Sequence, residues 1–368
     1  MGAPTVVIAA GGTGGHIYPG LALAAALREL APDAAISFVG TPKGLEGELI
    51  PKAGFDLDLY DMVQFNNQGW RKALAPAALV RSSIQARALL RRRDADVAVT
   101  MGGYSGIPLV IGARLARVPA VLHEPGAVPG QANRLAARFT TNVATSFPQT
   151  TFTGRSARYI GYPLQGFITS FDRDALRPEA RRAFGLDDGT ALLLVNGGSQ
   201  GSLRLNQLAL GLATRWQDRR DVRILLKAGA RTHDEIAAQL AATPGRELIE
   251  LVRYIDRMDH AYAAADIGIH RAGAGTVSEL AAVGLPSVLV PVPVLEHDEQ
   301  THNAQPLVAA GGALLVRDDA ATADAVGPLL EELLADRDRL ASMRAALLES
   351  ARPDAARELA RWVLELAA

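Results

Sequence analysis

At 368 residues the chain exceeds what one hydrophobic core usually serves, so two domains are expected. Its 49% hydrophobic content and formal charge of −1 describe an ordinary globular chain and give nothing that recruits nucleic acid. The lack of cysteine excludes disulfides and thiolate chemistry and suits a reducing cytoplasm.

The first apolar run, TVVIAA, begins at Thr5, which leaves no room for the charged and apolar regions of a secretory signal. No apolar run reaches about 18 residues, so no membrane-spanning helix is expected. The run leads into the glycine loop AGGTGGH at residues 10–16, then a helix carrying Leu21, Leu23 and Leu27. Apolar strands at 36–39, 57–60, 97–100, 120–122 and 143–145 alternate with helical patterns, as in a parallel sheet with crossover helices. Near Thr190 the opening returns as ALLLVNGGSQGSLRLNQLAL, again strand, glycine loop and helix. Further strands are expected at 222–227, 248–251, 267–270, 287–290 and 313–316.

The fold class is therefore α/β, with two doubly wound Rossmann-like domains facing a cleft. Residues 161–171, GYPLQGFITSF, carry Gly and Pro without periodicity and read as the linker. This divides the chain into residues 1–161 and 162–350. In two-domain α/β chains the last helix often crosses back, which makes 353–368 the candidate to complete the first domain.

The first glycine loop is not a dinucleotide fingerprint. In AGGTGGH the third glycine of G-x-G-x-x-G would fall on Ile17, and strand 36–39 ends in Gly40 and Thr41 with no acidic residue for a ribose. No G-x-x-x-x-G-K-[ST] occurs either, so hydride transfer and ATP hydrolysis are disfavoured.

The stretch 270–303 carries more chemistry. A strand, a turn with Gly273 and Gly275, and a helix from Thr276 place N–H groups where a phosphate is stabilised. Glu279, three positions after Thr276, can accept two hydrogen bonds from a ribose diol; the same pair also reads as a capping box. His16, at a helix start, is a competent general base near neutral pH, or a ring that simply packs there. Glu124 in LHEPG is the competing base, with His123 beside it structural, and Tyr104 in MGGYSG is a hydrogen-bond donor or a packed aromatic. Glu296, His297 and Asp298 lack the geometry of a metal site, and no metal or other cofactor is expected.

From Arg71 to Arg93 there are seven basic residues and no acidic one. On a helix over 77–93, Val80 and Ile84 sit among Arg81, Arg87 and Arg91. That suits a surface resting on anionic headgroups, and equally a solvated face whose arginine stems cover the core.

Taken together, GGTGGHIYPGLALA, MGGYSG, HE…VPG-x-AN, NGGSQG and GAGTVSELAAVGLPSVLVP…DEQTHNA resemble the MurG family, from about Val6 to Val316. These are GT-B enzymes that transfer N-acetylglucosamine (GlcNAc) from UDP-GlcNAc to the C4 hydroxyl of lipid I with inversion. The product is lipid II, made at the cytoplasmic face of the membrane. The resemblance implies two substrates, UDP-GlcNAc and the polyprenyl-linked lipid I, peripheral attachment to an anionic membrane through Arg81, Ile84, Arg87 and Arg91, and no nucleic acid.

It also implies a set of site residues. The acceptor diphosphate lies at Gly11, Gly12, Thr13, Gly14 and Gly15, with His16, Glu124 and Asn133 around the reacting centre and Tyr104 and Gly126 nearby. Uracil lies near Ile255 and Met258, the donor diphosphate near Ser199, Gln200, Gly275 and Thr276, the ribose on Glu279, and the GlcNAc hydroxyls near Gln300 and Asn303. Three motifs depart from the family. His123-Glu124-Pro125-Gly126 replaces HEQN, Glu299 replaces His or Gln, and Gln165 stands where an arginine pairs with phosphate. Arg271 and Arg253 are the nearest candidates to replace that charge. A transferase acting on another lipid acceptor, or a nucleotide-sugar-binding protein without turnover, are the alternatives.

Overall fold

A computed structural model of the chain describes residues 2–12, 14–42, 44–60, 75–198, 200–293 and 298–368. It forms two compact units, Met1–Gly166 with Arg352–Ala368, and Phe167–Ala351.

The first unit is built on a parallel sheet of β1 (Thr5–Ala9), β2 (Ala35–Gly40), β3 (Asp56–Leu59), β4 (Val97–Thr100), β5 (Ala120–Glu124), β6 (Asn142–Thr145) and β7 (Arg158–Tyr159), in the order β3-β2-β1-β4-β5-β6-β7. β1 is apolar from Val6 to Ala9 because both its faces are covered. Val6 and Ile8 join Leu23 and Leu27 of the helix Gly14–Leu30 and Leu359 and Val363 of the final helix Ala355–Ala367. Val7 and Ala9 point the other way, into a core with Leu90, Leu109 and Val110. Each such fully buried side chain stabilises the fold by ~1.5–3 kcal/mol. The two-residue edge strand β7 is too short to carry a sequence period.

The units divide between Gly166 and Phe167, within the expected linker; residues 161–164 are all buried, and the Tyr162 hydroxyl donates to Gly15 O at 2.9 Å. Gly161 adopts φ +104°, and a Cβ there would stand 2.7 Å from Arg352 Cβ, so the last segment of the chain is packed directly on it.

The second unit has a parallel sheet of β8 (Ala191–Asn196), β9 (Val222–Lys227), β10 (Ile249–Val252), β11 (Ile267–His270), β12 (Ser287–Leu289) and β13 (Ala313–Leu315), ordered β10-β9-β8-β11-β12-β13. Leu193 and Val195 enter a core with Leu205, Leu208 and Leu330, while Leu192 and Leu194, on the opposite face, are equally buried. In each unit the strand order reverses beside the first strand, between β1 and β4 and between β8 and β11. Ligands of open α/β sheets bind beyond the carboxyl ends of strands at such switch points. The glycine turns emerge there, after β1 and β4 in one unit and after β8 and β11 in the other.

Candidate active site

In the first unit, Gly12 (φ +97°) turns the chain between β1 and the helix Gly14–Leu30; Thr13 lies outside the described residues. The turn is held from behind by Glu46. Its Oε2 accepts the Gly12 N–H at 3.0 Å, and its Oε1 accepts the N–H and hydroxyl of Thr41, both at 2.9 Å. A Cβ on Gly40 would stand 2.6 Å from Glu46 Cγ, and one on Gly44 1.7 Å from Oε2, so these two positions admit the buried carboxylate only as glycine. Burial works to raise the pKa of Glu46, but the hydrogen bonds from Thr41 and Gly12 hold it below the ordinary carboxylate range. An acidic residue thus does follow β2, and it grips the loop instead of a ribose. Sequence reasoning missed it; the signal was Gly40 and Gly44 just ahead of Glu46.

Across the switch point, Gly102 and Gly103 (φ +93° and +79°) follow β4. The His16 ring lies against Gly103, where a Cβ would be 3.3 Å from Cε1. Burial pushes the His16 pKa down, which leaves a neutral imidazole able to take a proton. Tyr104, next to Gly103 in sequence, is half-buried. His123 is fully buried, with Nε2 3.2 Å from Gly161 O and 3.1 Å from Ser146 Oγ, and burial lowers its pKa to about 4.

Glu124 clamps the loop that follows β5. Oε1 accepts the Gly126 N–H at 2.9 Å; Oε2 accepts the Gly130 N–H at 3.1 Å and the Asn133 side-chain amide at 2.8 Å. Glu124, Gly126 and Asn133, expected separately, are therefore one hydrogen-bonded unit. Both Glu124 oxygens are thus engaged and the residue is only 3% exposed, whereas His16 is half-buried. Gln165 is half-buried at the end of this unit.

In the second unit, Asn196 ends β8 and accepts the Gly198 N–H at 2.9 Å. Gly198 and Gly201 take φ +88° and +79°, and a Cβ on Gly201 would strike Ala228 O at 2.0 Å, so only glycine lets the loop lie on the end of β9. Ser202 caps the helix Leu203–Arg215 through Leu205 N–H. Gln200 is exposed, and Ser199 lies outside the described residues.

Arg271, the expected phosphate-binding charge, has partners within the fold. Its Nε and Nη2 donate to Ser202 Oγ at 3.1 and 2.8 Å, and its Nη1 to Val290 O, Pro291 O and Asp318 Oδ1. The guanidinium is consumed in tying the β8 loop to the β12 end. Arg253 is exposed and paired with Asp234 at 2.6 Å.

After β11 the helix Ala274–Val283 starts from Gly273, with no side-chain cap among the described residues. The capping-box alternative therefore fails: Thr276 is the third helical residue, and Glu279 instead accepts the Tyr262 hydroxyl at 2.7 Å. Gly275 and Thr276 lie in the first turn, whose N–H groups have no intrahelical partner. Burial raises the pKa of Glu279, opposed by Tyr262 and by the charge of Lys227. Gln300 accepts the N–H groups of Ala272 and Val292 at 3.1 and 3.0 Å, and Asn303 donates to Ala272 O at 3.1 Å, so both fix the turn from the helix Glu299–Ala309.

Lys227, Asn196 and His270 are register partners at the ends of β9, β8 and β11. The Lys227 ammonium lies 5.1 Å from the Tyr254 ring centroid, and burial lowers its pKa. Both ring nitrogens of buried His270 lack a partner among the described residues, and burial pushes its pKa to about 3. Sequence reasoning missed Lys227 and Tyr262; an ionisable residue closing the apolar run VRILLK was the available signal. Ile255 is buried and half-buried Met258 starts the helix Met258–Ala264.

Among the described residues no three His, Asp or Glu form a metal-binding group; Glu296 and His297 lie outside them, and Asp298 is exposed.

The basic helix spans Ala75–Arg92; Arg71 and Lys72 lie outside the described residues. Ser83, Ala86 and Leu90 face inward, while Val80 and Ile84 are 60% and 55% exposed, with Arg81 and Arg91 exposed and Arg87 half-buried. Among the described residues no helix is long and apolar enough to cross a membrane.

Residues 6–145 match the glycosyltransferase family 28 N-terminal domain and residues 192–359 the family 28 C-terminal domain. The chain is 45% identical to a Nocardioides protein named UDP-N-acetylglucosamine–N-acetylmuramyl-(pentapeptide) pyrophosphoryl-undecaprenol N-acetylglucosamine transferase, over 98% of each chain. It is 44% identical to the Streptomyces avermitilis protein of that name, over 95% of each. The crystal structure of Acinetobacter baumannii MurG superposes with a TM-score of 0.79 at 27% identity, covering 99% of both chains. The calicheamicin glycosyltransferase CalG4, at 19% identity and a TM-score of 0.65 over 99% of both, shares the fold, which is the GT-B architecture. With two family 28 domains, near-full-length identity above 40% and both glycine turns at their switch points, this chain is a member of the MurG family of glycosyltransferases.

Proposed function

We propose that the chain transfers GlcNAc from UDP-GlcNAc to the C4 hydroxyl of the MurNAc residue of lipid I, with inversion, forming lipid II. The observation that carries this reading is the 45% identity, over 98% of each chain, to a transferase of that printed name. In the single displacement the C4 oxygen bonds to the anomeric carbon, the bond from that carbon to the β-phosphate oxygen breaks, and UDP departs. His16 takes the hydroxyl proton, its neutral form being favoured by burial. Glu124, with Gly126 and Asn133, positions the acceptor loop, and Tyr104 lines it.

The acceptor diphosphate rests on the Gly11–Gly15 turn. The donor diphosphate rests on the N–H groups around Ser199, Gln200, Gly275 and Thr276, where backbone dipoles stabilise the charge that builds on the leaving group. Glu279 holds the ribose, Ile255 and Met258 the uracil, and Gln300 and Asn303 the GlcNAc hydroxyls; Gln165 borders the donor without an arginine's charge. The chain attaches peripherally to the cytoplasmic face of the membrane through Arg81, Ile84, Arg87 and Arg91, whose alternation of charge and exposed apolar surface supports this.

A UDP-release assay with lipid I and several UDP-sugars tests the reading. Release from UDP-GlcNAc alone is expected. Release from a different UDP-sugar points to another transferase, and UDP-GlcNAc binding without release points to a binding protein.

A further inference from the structure

We infer that the second unit carries an anion site for phosphate or pyrophosphate at the amino-terminal edge of its sheet, apart from the glycine turns. A cavity of about 460 Å³ lies there, beneath Ala191 at the start of β8, Asp221 before β9, Asp266 before β11 and Pro286 before β12. The six residues of β8 separate this edge from the Asn196 end by roughly 16 Å at the usual strand rise.

Six arginines line the cavity: Arg173, Arg177, Arg181, Arg219, Arg337 and Arg344. Three carboxylates, Asp188, Asp221 and Asp266, line the cavity with them, so the arginines are in excess. Arg219 pairs one-to-one with Asp221 at 2.7 Å. Arg173, Arg177 and Arg181 all converge on a single carboxylate, Asp266, Arg173 at 3.8 Å, Arg181 at 3.7 Å and Arg177 in direct contact. Asp266 also accepts the Leu192 N–H, so one carboxylate serves three guanidinium groups and a backbone donor. Arg344 adds a further positive charge, with bonds of 3.3 and 3.5 Å to Val283 O and Gly284 O and Asp174 nearby, and Arg337 is exposed.

Part of this set is structural. Arg177 caps the helix Met258–Ala264 through the carbonyls of Ala263 and Ala264, and Arg181 binds Asp187 O and Thr190 O. Capping does not remove the charge, however. Arg173 is lowered to about 10 by burial first, then by repulsion from Arg177 and Arg344, against the weaker pull of Asp266 and Asp174. An arginine disfavoured in its charged state inside a cavity is relieved by an incoming anion, and the guanidinium fork matches phosphate oxygens in pairs. The side chains of Arg173, Arg177 and Arg181 are only 20%, 21% and 9% exposed. That recess suits a small soluble anion and is out of reach of a flat lipid surface.

Isothermal titration with inorganic phosphate and with pyrophosphate tests this, in buffer whose chloride matches the ionic strength, with and without excess UDP. Saturable pyrophosphate binding that persists with UDP present is expected. It should weaken at least tenfold in Arg337→Gln/Arg344→Gln, a pair outside the glycine turns. Arg173→Gln should do the same, with its folding checked by thermal denaturation. A parent that shows no saturable heat beyond the chloride control, or folded variants that bind as the parent does, overturns the site. UDP release from UDP-GlcNAc is read separately, so failure here leaves the transfer reading standing.

Discussion

The buried carboxylate of Glu46 accepts the N–H of Gly12 at 3.0 Å, so the first glycine turn is set by a charge behind it as well as by its own backbone freedom. Glu46→Gln presents an amide N–H₂ to donors and should cost about 1–3 kcal/mol of stability. The folded pKa is depressed below the ordinary 4.5, so the Glu46 contribution is present at neutral pH and is lost as pH falls through the folded pKa. Thermal denaturation from pH 3 to 7 checks this: the variant loses stability at neutral pH and has a flatter acid limb.

His16→Ala should lower kcat by about 10²–10⁴ while leaving UDP-GlcNAc affinity within a few-fold. Because burial lowers the His16 pKa below 6.5, the acid limb of kcat/KM should fall below pH 6.5, where the ring becomes protonated. A variant with parental kcat removes His16 from the chemistry.

Glu279→Ala should weaken UDP-GlcNAc several-fold or more, since charge-assisted hydrogen bonds to a diol are each worth ~1.5–3 kcal/mol. Tyr262→Phe removes the hydroxyl that donates to Glu279 at 2.7 Å and should weaken binding less. Calorimetry decides: an Ala variant that unfolds more easily but binds as the parent makes Glu279 a purely structural partner of Tyr262.

Arg271→Ala should act on stability first. It breaks the ion pair to Asp318 and releases Ser202 and the β12 end, at about 3 kcal/mol, the low end for a buried pair because 12% of the side chain stays exposed. Gln165→Arg should be tolerated or tighten UDP-GlcNAc. If Arg271→Ala keeps its melting temperature and loses only nucleotide affinity, the guanidinium serves phosphate after all.

Charge reversal at Arg81, Arg87 and Arg91 should abolish binding to phosphatidylglycerol-containing vesicles, and salt should reverse parental binding, as each basic residue contributes about 1 kcal/mol near such a surface. Equal sedimentation of variant and parent with vesicles excludes this helix as the contact.

The sequence by itself determined the two-sheet α/β architecture, because strands covered on both faces read as unbroken apolar runs and each sheet restarts with a strand, a glycine loop and a helix. It also singled out Glu124 at a strand end and the turn around Gly273, since strand-end and glycine chemistry are local, whereas Gly126 and Asn133 came from the family resemblance. What only the tertiary structure decided is which charges are held by the fold. Arg271 looked like a phosphate partner until Asp318, forty-seven positions on, was found to hold it. Glu46 had no motif, and its role exists only because Gly12, Gly40 and Gly44 converge on its carboxylate. Asp266 reads in sequence as a lone acid before a strand, and becomes the shared partner of three arginines only once the helix Arg173–Ala183 packs against it. Local pattern fixes backbone geometry through sterics and burial, whereas the use of a charge depends on neighbours brought from far along the chain.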